Sequence, residues 1–236
     1  MKQWNKIFKK EGKVFFEPQE DMPKLAKLFK ERGIKKVLDL GCGSGRHLVY
    51  FAKKGFETYG FDVAPVGLKI TKDWLRQEGL KANLKLGSFF KKLPYKDNFF
   101  GAIVAVQAIS HGRIGNIRKL ILEMERTLKP NGLIFVAFTQ RSRVKNWRVG
   151  SVHKERFIGD DGVSMFEEGR KVLGPNTLVP IEGTEKGLIH YIFDKEAIKK
   201  EFKDFKIHWL RLDSKKCRHI LLAELRNNKM SNNLSA

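Results

Sequence analysis

The 236-residue chain carries 47 Lys and Arg against 26 Asp and Glu, a formal net charge of +21, and 42% of its residues are apolar. One well-cored domain accommodates that length, and the two cysteines exclude a disulfide framework and a cysteine-built metal site. No apolar run approaches the roughly 18 residues of a membrane span or opens the chain as a signal peptide would, so the reading is a cytoplasmic protein. The basic excess favours weak association with anions such as RNA, although lysines spread along the whole chain also make an ordinary solvated surface.

Residues 1–33 bring Trp4, Phe8, Phe15 and Phe16 ahead of the first core strand, where a solvated tail would be polar, so these aromatics are expected to pack against the rest of the chain. Leu25, Leu28 and Phe29 recur at helical spacing, and Gly33 ends that helix. Residues 37–47, VLDLGCGSGRH, then read as a buried strand turning through a glycine loop into an amphipathic helix stopped by Gly55. Alternating glycines permit positive φ and keep Cβ atoms off an approaching ligand, while the helix start offers unpaired N–H groups. A dinucleotide fingerprint needs G-x-G-x-x-G, whereas Gly41, Gly43 and Gly45 are spaced G-x-G-x-G, with Asp39 two residues ahead. A carboxylate there suits a ligand bearing an ammonium group better than a pyrophosphate.

This stretch resembles motif I of the class I S-adenosylmethionine-dependent methyltransferases, (D/E)-x-G-x-G-x-G. Asp62, closing the next apparent strand at residues 57–62, stands where that family keeps its ribose-binding acid. One carboxylate with two oxygens matches two vicinal hydroxyl donors. In such enzymes the segment before motif I lies over the cofactor, which makes Phe16 or its neighbours the expected cover.

Pro65 fits the first turn of a helix bearing Leu68, Thr71, Trp74 and Leu75. A short third strand at residues 83–87 leads to Ser88 and Phe89, where the family usually places an acid against adenine; here a hydroxyl or a backbone group must serve. Residues 101–107 form a near-continuous apolar run of the kind buried on both faces, and its end delivers Gln107-Ala108-Ile109-Ser110-His111-Gly112. His111 is the best single candidate for proton transfer or substrate orientation, against the plainer role of bonding its own loop. The (N/D)-P-P-(Y/F/W) motif of many base-amine methyltransferases is missing at this place, and neither Cys42 nor Cys217 follows the pattern of a ring-carbon nucleophile.

Ile117, Leu120, Ile121, Met124 and Leu128 define a periodic helix, followed by the turn Lys129-Pro130-Asn131-Gly132 and a fifth strand at residues 133–138. Residues 140–193 lack clear periodicity and are far longer than an ordinary connection, so they are expected to form an acceptor-site insert. It opens with a basic run from Arg141 to Arg148 around Trp147 and closes near His190 and Tyr191, in a segment like the G-x-x-H-x-x-F element of some small-substrate members, where the two residues either line the substrate site or form a strand edge that tethers the insert. Asp194 caps a helix, two strand-like runs follow at 205–212 and 219–225, and residues 227–236 are a polar tail.

Alternating helices and strands imply an α/β fold. The resemblance, close over residues 34–139, implies a Rossmann-like seven-stranded, mostly parallel sheet with helices on both faces, the last strand antiparallel, and an insert after strand five, within one domain spanning 1–226. It also implies S-adenosylmethionine as cofactor, contacted by Asp39, Gly41, Cys42, Gly43, Gly45, Arg46, Asp62, Val63, Ser88, Phe89 and Gln107, with no metal. His111, His190 and Tyr191 are the catalytic candidates for in-line methyl transfer to a small molecule. The rival readings are a tRNA or rRNA methyltransferase and a non-catalytic, cofactor-binding RNA-associated factor.

Overall fold

The computed structural model describes residues 2–13, 16–139, 148–158 and 165–227. Its main sheet contains β1 (Lys36–Leu40), β2 (Glu57–Asp62), β3 (Asn83–Leu86), β4 (Phe100–Val106), β5 (Leu128–Thr139), β10 (Phe205–Leu212) and β11 (Arg218–Leu225). The strands lie in the order β10-β11-β5-β4-β1-β2-β3. β1 pairs in parallel with β2 and β4, and β11 runs antiparallel to both β5 and β10.

Side-chain alternation along β1 explains the two core layers. Leu38 and Leu40 pack with Ile103, Ile117, Leu120 and Met124 under α5 (Ile114–Thr127). Val37, one residue out of phase, packs with Phe29 of α2 (Met22–Glu31) and Phe51 of α3 (Arg46–Lys53) on the opposite face. Asp39 shares that face with Val37, and a backbone bond from Leu48 in the first turn of α3 reaches its carboxyl. The same alternation that builds the core therefore aims one carboxylate at a helix N-terminus.

α4 (Pro65–Gln77) follows β2, and α6 (Lys195–Glu201) is capped by the Asp194 carboxylate, which accepts from Ala197 N–H at 2.8 Å. β5 begins ahead of the expected residue 133, because the Lys129-Pro130-Asn131-Gly132 turn is absorbed as an irregularity in its pairing with β4.

The insert is more regular than its sequence suggests. β6 (Val152–Ile158), β7 (Met165–Gly174), β8 (Thr177–Pro180) and β9 (His190–Tyr191) form a second, antiparallel sheet in that order. Its edge docks on the main domain through two backbone bonds, Gly112 N–H to Ile189 O at 2.7 Å and Tyr191 N–H to Ser110 O at 2.8 Å. The loop that follows β4 is thereby stitched to the end of the insert. The residues from Arg141 to Trp147, like Phe15 and the tail beyond Asn227, lie outside the described residues.

Candidate active site

β1 ends directly in the glycine loop, and the loop is held from both sides. Gly41 N–H donates to Phe61 O at 2.8 Å, tying it to β2, while the Thr71 hydroxyl of α4 donates to Gly43 O at 2.9 Å. All three loop glycines have positive φ and little room for a Cβ, Gly45 because of Thr71 at 2.8 Å. Gly41 has φ +82°, and a Cβ there would lie 2.4 Å from the Ala108 Cβ, so the loop abuts the end of β4. Gly43 has φ +52°, and its Cβ would meet the Phe8 ring at 3.1 Å. Cys42, by contrast, is buried beneath the loop against Gly60, and burial pushes its thiol up; what it can offer a ligand is backbone.

Two carboxylates flank this loop. Asp62 accepts from Gly43 N–H at 2.9 Å and from Ala64 N–H at 2.8 Å. Burial raises its carboxyl, while these bonds and one from Val63 pull the other way. Each carboxylate oxygen has a further lone pair for an outside donor. Asp39 is 2% exposed, and burial pushes its carboxyl up to about 7 against the opposing pull of Arg46. Its Oδ2 is buried with no hydrogen-bond partner. Arg46 Nη2 reaches Gln107 Oε1 at 3.4 Å, which links the start of α3 to the residue just after β4. Gln107 itself takes a left-handed φ of +56°, an unusual backbone for a non-glycine residue and one found where chains are shaped for function.

The cover is α1 (Lys2–Glu11). Phe8, 4% exposed, lies over Gly43 and Gly67, and its ring is 6.0 Å from Trp4, which in turn meets His111 edge-on at 5.5 Å. Phe16 is 61% exposed, so covering falls to Trp4 and Phe8. Ser88 uses its hydroxyl to accept from Phe90 N–H at 3.2 Å, and Phe89 packs on Phe61 with its ring edge toward Gly41.

Beyond Gln107, the end of β4 and the insert bring three polar side chains together. His111 and His190 have ring centroids 4.9 Å apart, and Glu185 lies between them, its oxygens 3.6 Å from His111 Nε2 and 3.3 Å from His190 Nε2. The other nitrogen of His111 sits 3.1 Å from Ala108 O. Tyr191, next along β9, lines a separate cavity of about 850 Å³ with Asn176, Arg118 and Glu201. His111 and His190 therefore share one locus and Tyr191 looks into another.

Residues 37–132 match the family model described as a methyltransferase domain. A ubiquinone biosynthesis O-methyltransferase of Rickettsia akari is 25% identical over 124 residues, covering 52% of this chain and 47% of that protein. The chain spans about half the length of the curated relatives it matches. A crystal structure of an S-adenosylmethionine-dependent methyltransferase from Clostridium acetobutylicum superposes with TM-score 0.65 at 14% identity, over 95% of this chain and 98% of the other. An amino pentose methyltransferase from Micromonospora echinaspora, solved with S-adenosylmethionine bound, gives TM-score 0.60 at 16% identity, over 94% and 96%. In its matched domain and in its fold the chain resembles the class I S-adenosylmethionine-dependent methyltransferase superfamily.

The residues present fit the cofactor of that superfamily. It carries two cationic groups, an ammonium and a sulfonium, and the loop offers it a partnerless buried carboxylate oxygen on Asp39 and the Asp62 carboxylate for hydroxyls. Trp4 and Phe8 were visible in the sequence as misplaced aromatics expected to pack, while Thr71 as a loop anchor and Glu185 were not foreseen. Thr71 sat on a helix face among core residues, and Glu185 sat in a charged turn with no motif around it.

Proposed function

We propose that this chain transfers the methyl group of S-adenosylmethionine to a small-molecule acceptor held between the end of β4 and the insert sheet. The observation that carries the reading is the stitching of β9 to the loop after β4, which sets His111, Glu185 and His190 beside a glycine loop roofed by Trp4 and Phe8. Asp39, Asp62 and the loop backbone would hold the cofactor, with Arg46 and Gln107 fixing the wall next to it. The bound cofactor supplies a methyl group already activated on sulfur, so the protein's task is alignment. Holding the acceptor atom about 3 to 3.5 Å from that carbon, in line, provides most of the available acceleration.

An acceptor hydroxyl or amine must shed a proton as the methyl group arrives. The His111–Glu185–His190 cluster is placed for that role, and the roof of α1 keeps water out. The ubiquinone O-methyltransferase relatives favour a small acceptor, and so does the absence of a base-amine motif after β4.

The test is transfer of isotopically labelled methyl from S-adenosylmethionine into fractionated cell extract. Label in the small-molecule fraction, unaffected by nuclease, is the expected result. Label confined to RNA and abolished by nuclease would contradict the small-molecule assignment, and label nowhere in any extract would favour a cofactor-binding factor.

A further inference from the structure

We infer that His111, Glu185 and His190 form a binding site for a divalent transition-metal ion, Zn²⁺ by its ligand set, on the acceptor side of the methyltransferase site. The inference rests on the reading above only for that placement. His111 comes from the loop after β4, His190 from β9 and Glu185 from the turn between β8 and β9, and their ligand atoms all lie within 4.8 Å of one another.

Three observations support it. The first is spacing. Ligands about 2.0 to 2.2 Å from a tetrahedral Zn²⁺ lie about 3.4 Å from each other, and the two nitrogen-to-carboxylate separations are 3.6 and 3.3 Å. The second is the partner of His111 on its other side: Nδ1 lies 3.1 Å from Ala108 O, a carbonyl that can only accept, so Nδ1 carries the hydrogen and the Nε2 lone pair is turned toward Glu185. A metal-bound imidazole almost always donates its remote N–H in this way. A lone pair and a carboxylate oxygen facing each other hold together when a cation lies between them, a metal ion or a proton.

The third observation is rigidity. The His111 and His190 backbones form a β-bridge, and the flanking bonds Gly112 N–H to Ile189 O and Tyr191 N–H to Ser110 O fix both segments. Trp4 adds an apolar wall against the His111 ring. Two imidazoles and one carboxylate suit Zn²⁺ or Fe²⁺ rather than Mg²⁺ or Ca²⁺, which prefer all-oxygen sets. Three protein ligands leave a fourth position open, as in catalytic zinc sites. With the ion bound, the two imidazoles serve as its ligands rather than as the proton acceptor, and an acceptor hydroxyl at the open position would release its proton to solvent more readily, because the ion would stabilise the oxyanion that receives the methyl group.

The experiment uses tag-free, chelator-treated full-length protein titrated with Co²⁺, whose visible absorption reports a four-coordinate site, followed by displacement with Zn²⁺. One equivalent of Co²⁺ with intense visible bands is expected in the wild type, with a rise in melting temperature. His190→Asn and His111→Ala should abolish the bands, and Glu185→Gln should weaken binding by about a hundredfold, at least the cost of losing a supporting partner. Far-UV circular dichroism establishes that each variant is folded. Failure of the wild type to give the bands, or bands that persist unchanged in folded His111→Ala and His190→Asn, would overturn the inference and leave the three groups as a proton-held ion pair network. S-adenosylmethionine binding, measured on the same metal-free protein, reports the methyltransferase reading separately: metal bands without cofactor binding would sink that reading and not this one.

Discussion

The N–H of Gly43 donates to Asp62 Oδ2 at 2.9 Å, so the carboxylate that ends β2 holds the glycine loop in place as well as being the proposed acceptor of cofactor hydroxyls. Asp62→Ala should therefore act twice. Loss of charged hydrogen bonds to cofactor hydroxyls should weaken binding by about 1.5 to 3 kcal/mol, roughly ten- to a hundredfold. The N–H groups of Gly43 and Ala64 would also lose their acceptor, lowering the melting temperature of the free protein. Calorimetric titration and thermal melting measure the two effects. An unchanged affinity would move the hydroxyl contacts elsewhere, and an unchanged melting temperature would mean that the loop does not need this bond.

Gly43 and Phe8 make a paired prediction. Gly43→Ala meets both a left-handed φ of +52° and the Phe8 ring 3.1 Å away. The backbone strain costs roughly 1 to 2 kcal/mol for a non-glycine residue. If the ring adds to this, the double variant Gly43→Ala/Phe8→Ala should recover part of the stability lost in Gly43→Ala, a coupling read from a double-mutant cycle. Strict additivity would show that Phe8 yields freely and that φ alone demands the glycine.

Asp39 predicts a pH dependence. Its carboxyl is pushed up to about 7 by burial, from an ordinary 3.8. The folded protein thus holds a proton that the unfolded chain has already released, so the stability contributed by this group falls as pH rises from about 3.8 to about 7. A cationic ligand favours the ionised form, and binding of S-adenosylmethionine below pH 7 should release a proton from Asp39. Calorimetry at pH 6 in buffers of different ionisation heat should show that release, and Asp39→Asn should abolish it. Proton uptake instead would place the cationic end of the cofactor away from Asp39.

How much of this was legible in the sequence follows from the range of the interactions. The glycine loop, Asp39 and Asp62 were readable because a strand, a turn and a helix start are local, and the apolar runs of β1 and β4 state their own burial. The second sheet was hidden because its strands carry charge on faces that pair with charge: Lys154 on β6 meets Glu167 on β7 at 3.4 Å, and fully buried Arg170 meets Glu168 at 2.6 Å. Residues that neutralise each other across a ladder, as Lys154 and Glu167 do, or along one face of a strand, as Glu168 and Arg170 do on β7, leave no alternation of apolar and polar to read. Glu185 was illegible for a different reason. Only the β-bridge between residues 111 and 190 brings the two histidines to it, and no spacing in the chain records that meeting.

The net charge of +21 predicts salt-sensitive association with RNA that is separate from methyl transfer. Binding by phosphate neutralisation should fall steeply between about 50 and 200 mM salt and show no preference among RNA sequences. Filter binding across that range measures it. Sequence-selective binding that survives the higher salt would instead bring RNA to the acceptor side, since base and shape contacts persist under screening.

The central claim is that the loop from Gly41 to Gly45, roofed by α1 and flanked by Asp39 and Asp62, holds S-adenosylmethionine. Titration calorimetry of the chelator-treated wild-type chain with S-adenosylmethionine, beside Gly43→Val, tests it most directly. The account predicts one-to-one binding in the wild type and its loss in a folded Gly43→Val, whose branched side chain would meet the Phe8 ring and displace the roof from the loop. Absence of binding in the wild type, or equal affinity in the two proteins, would contradict it.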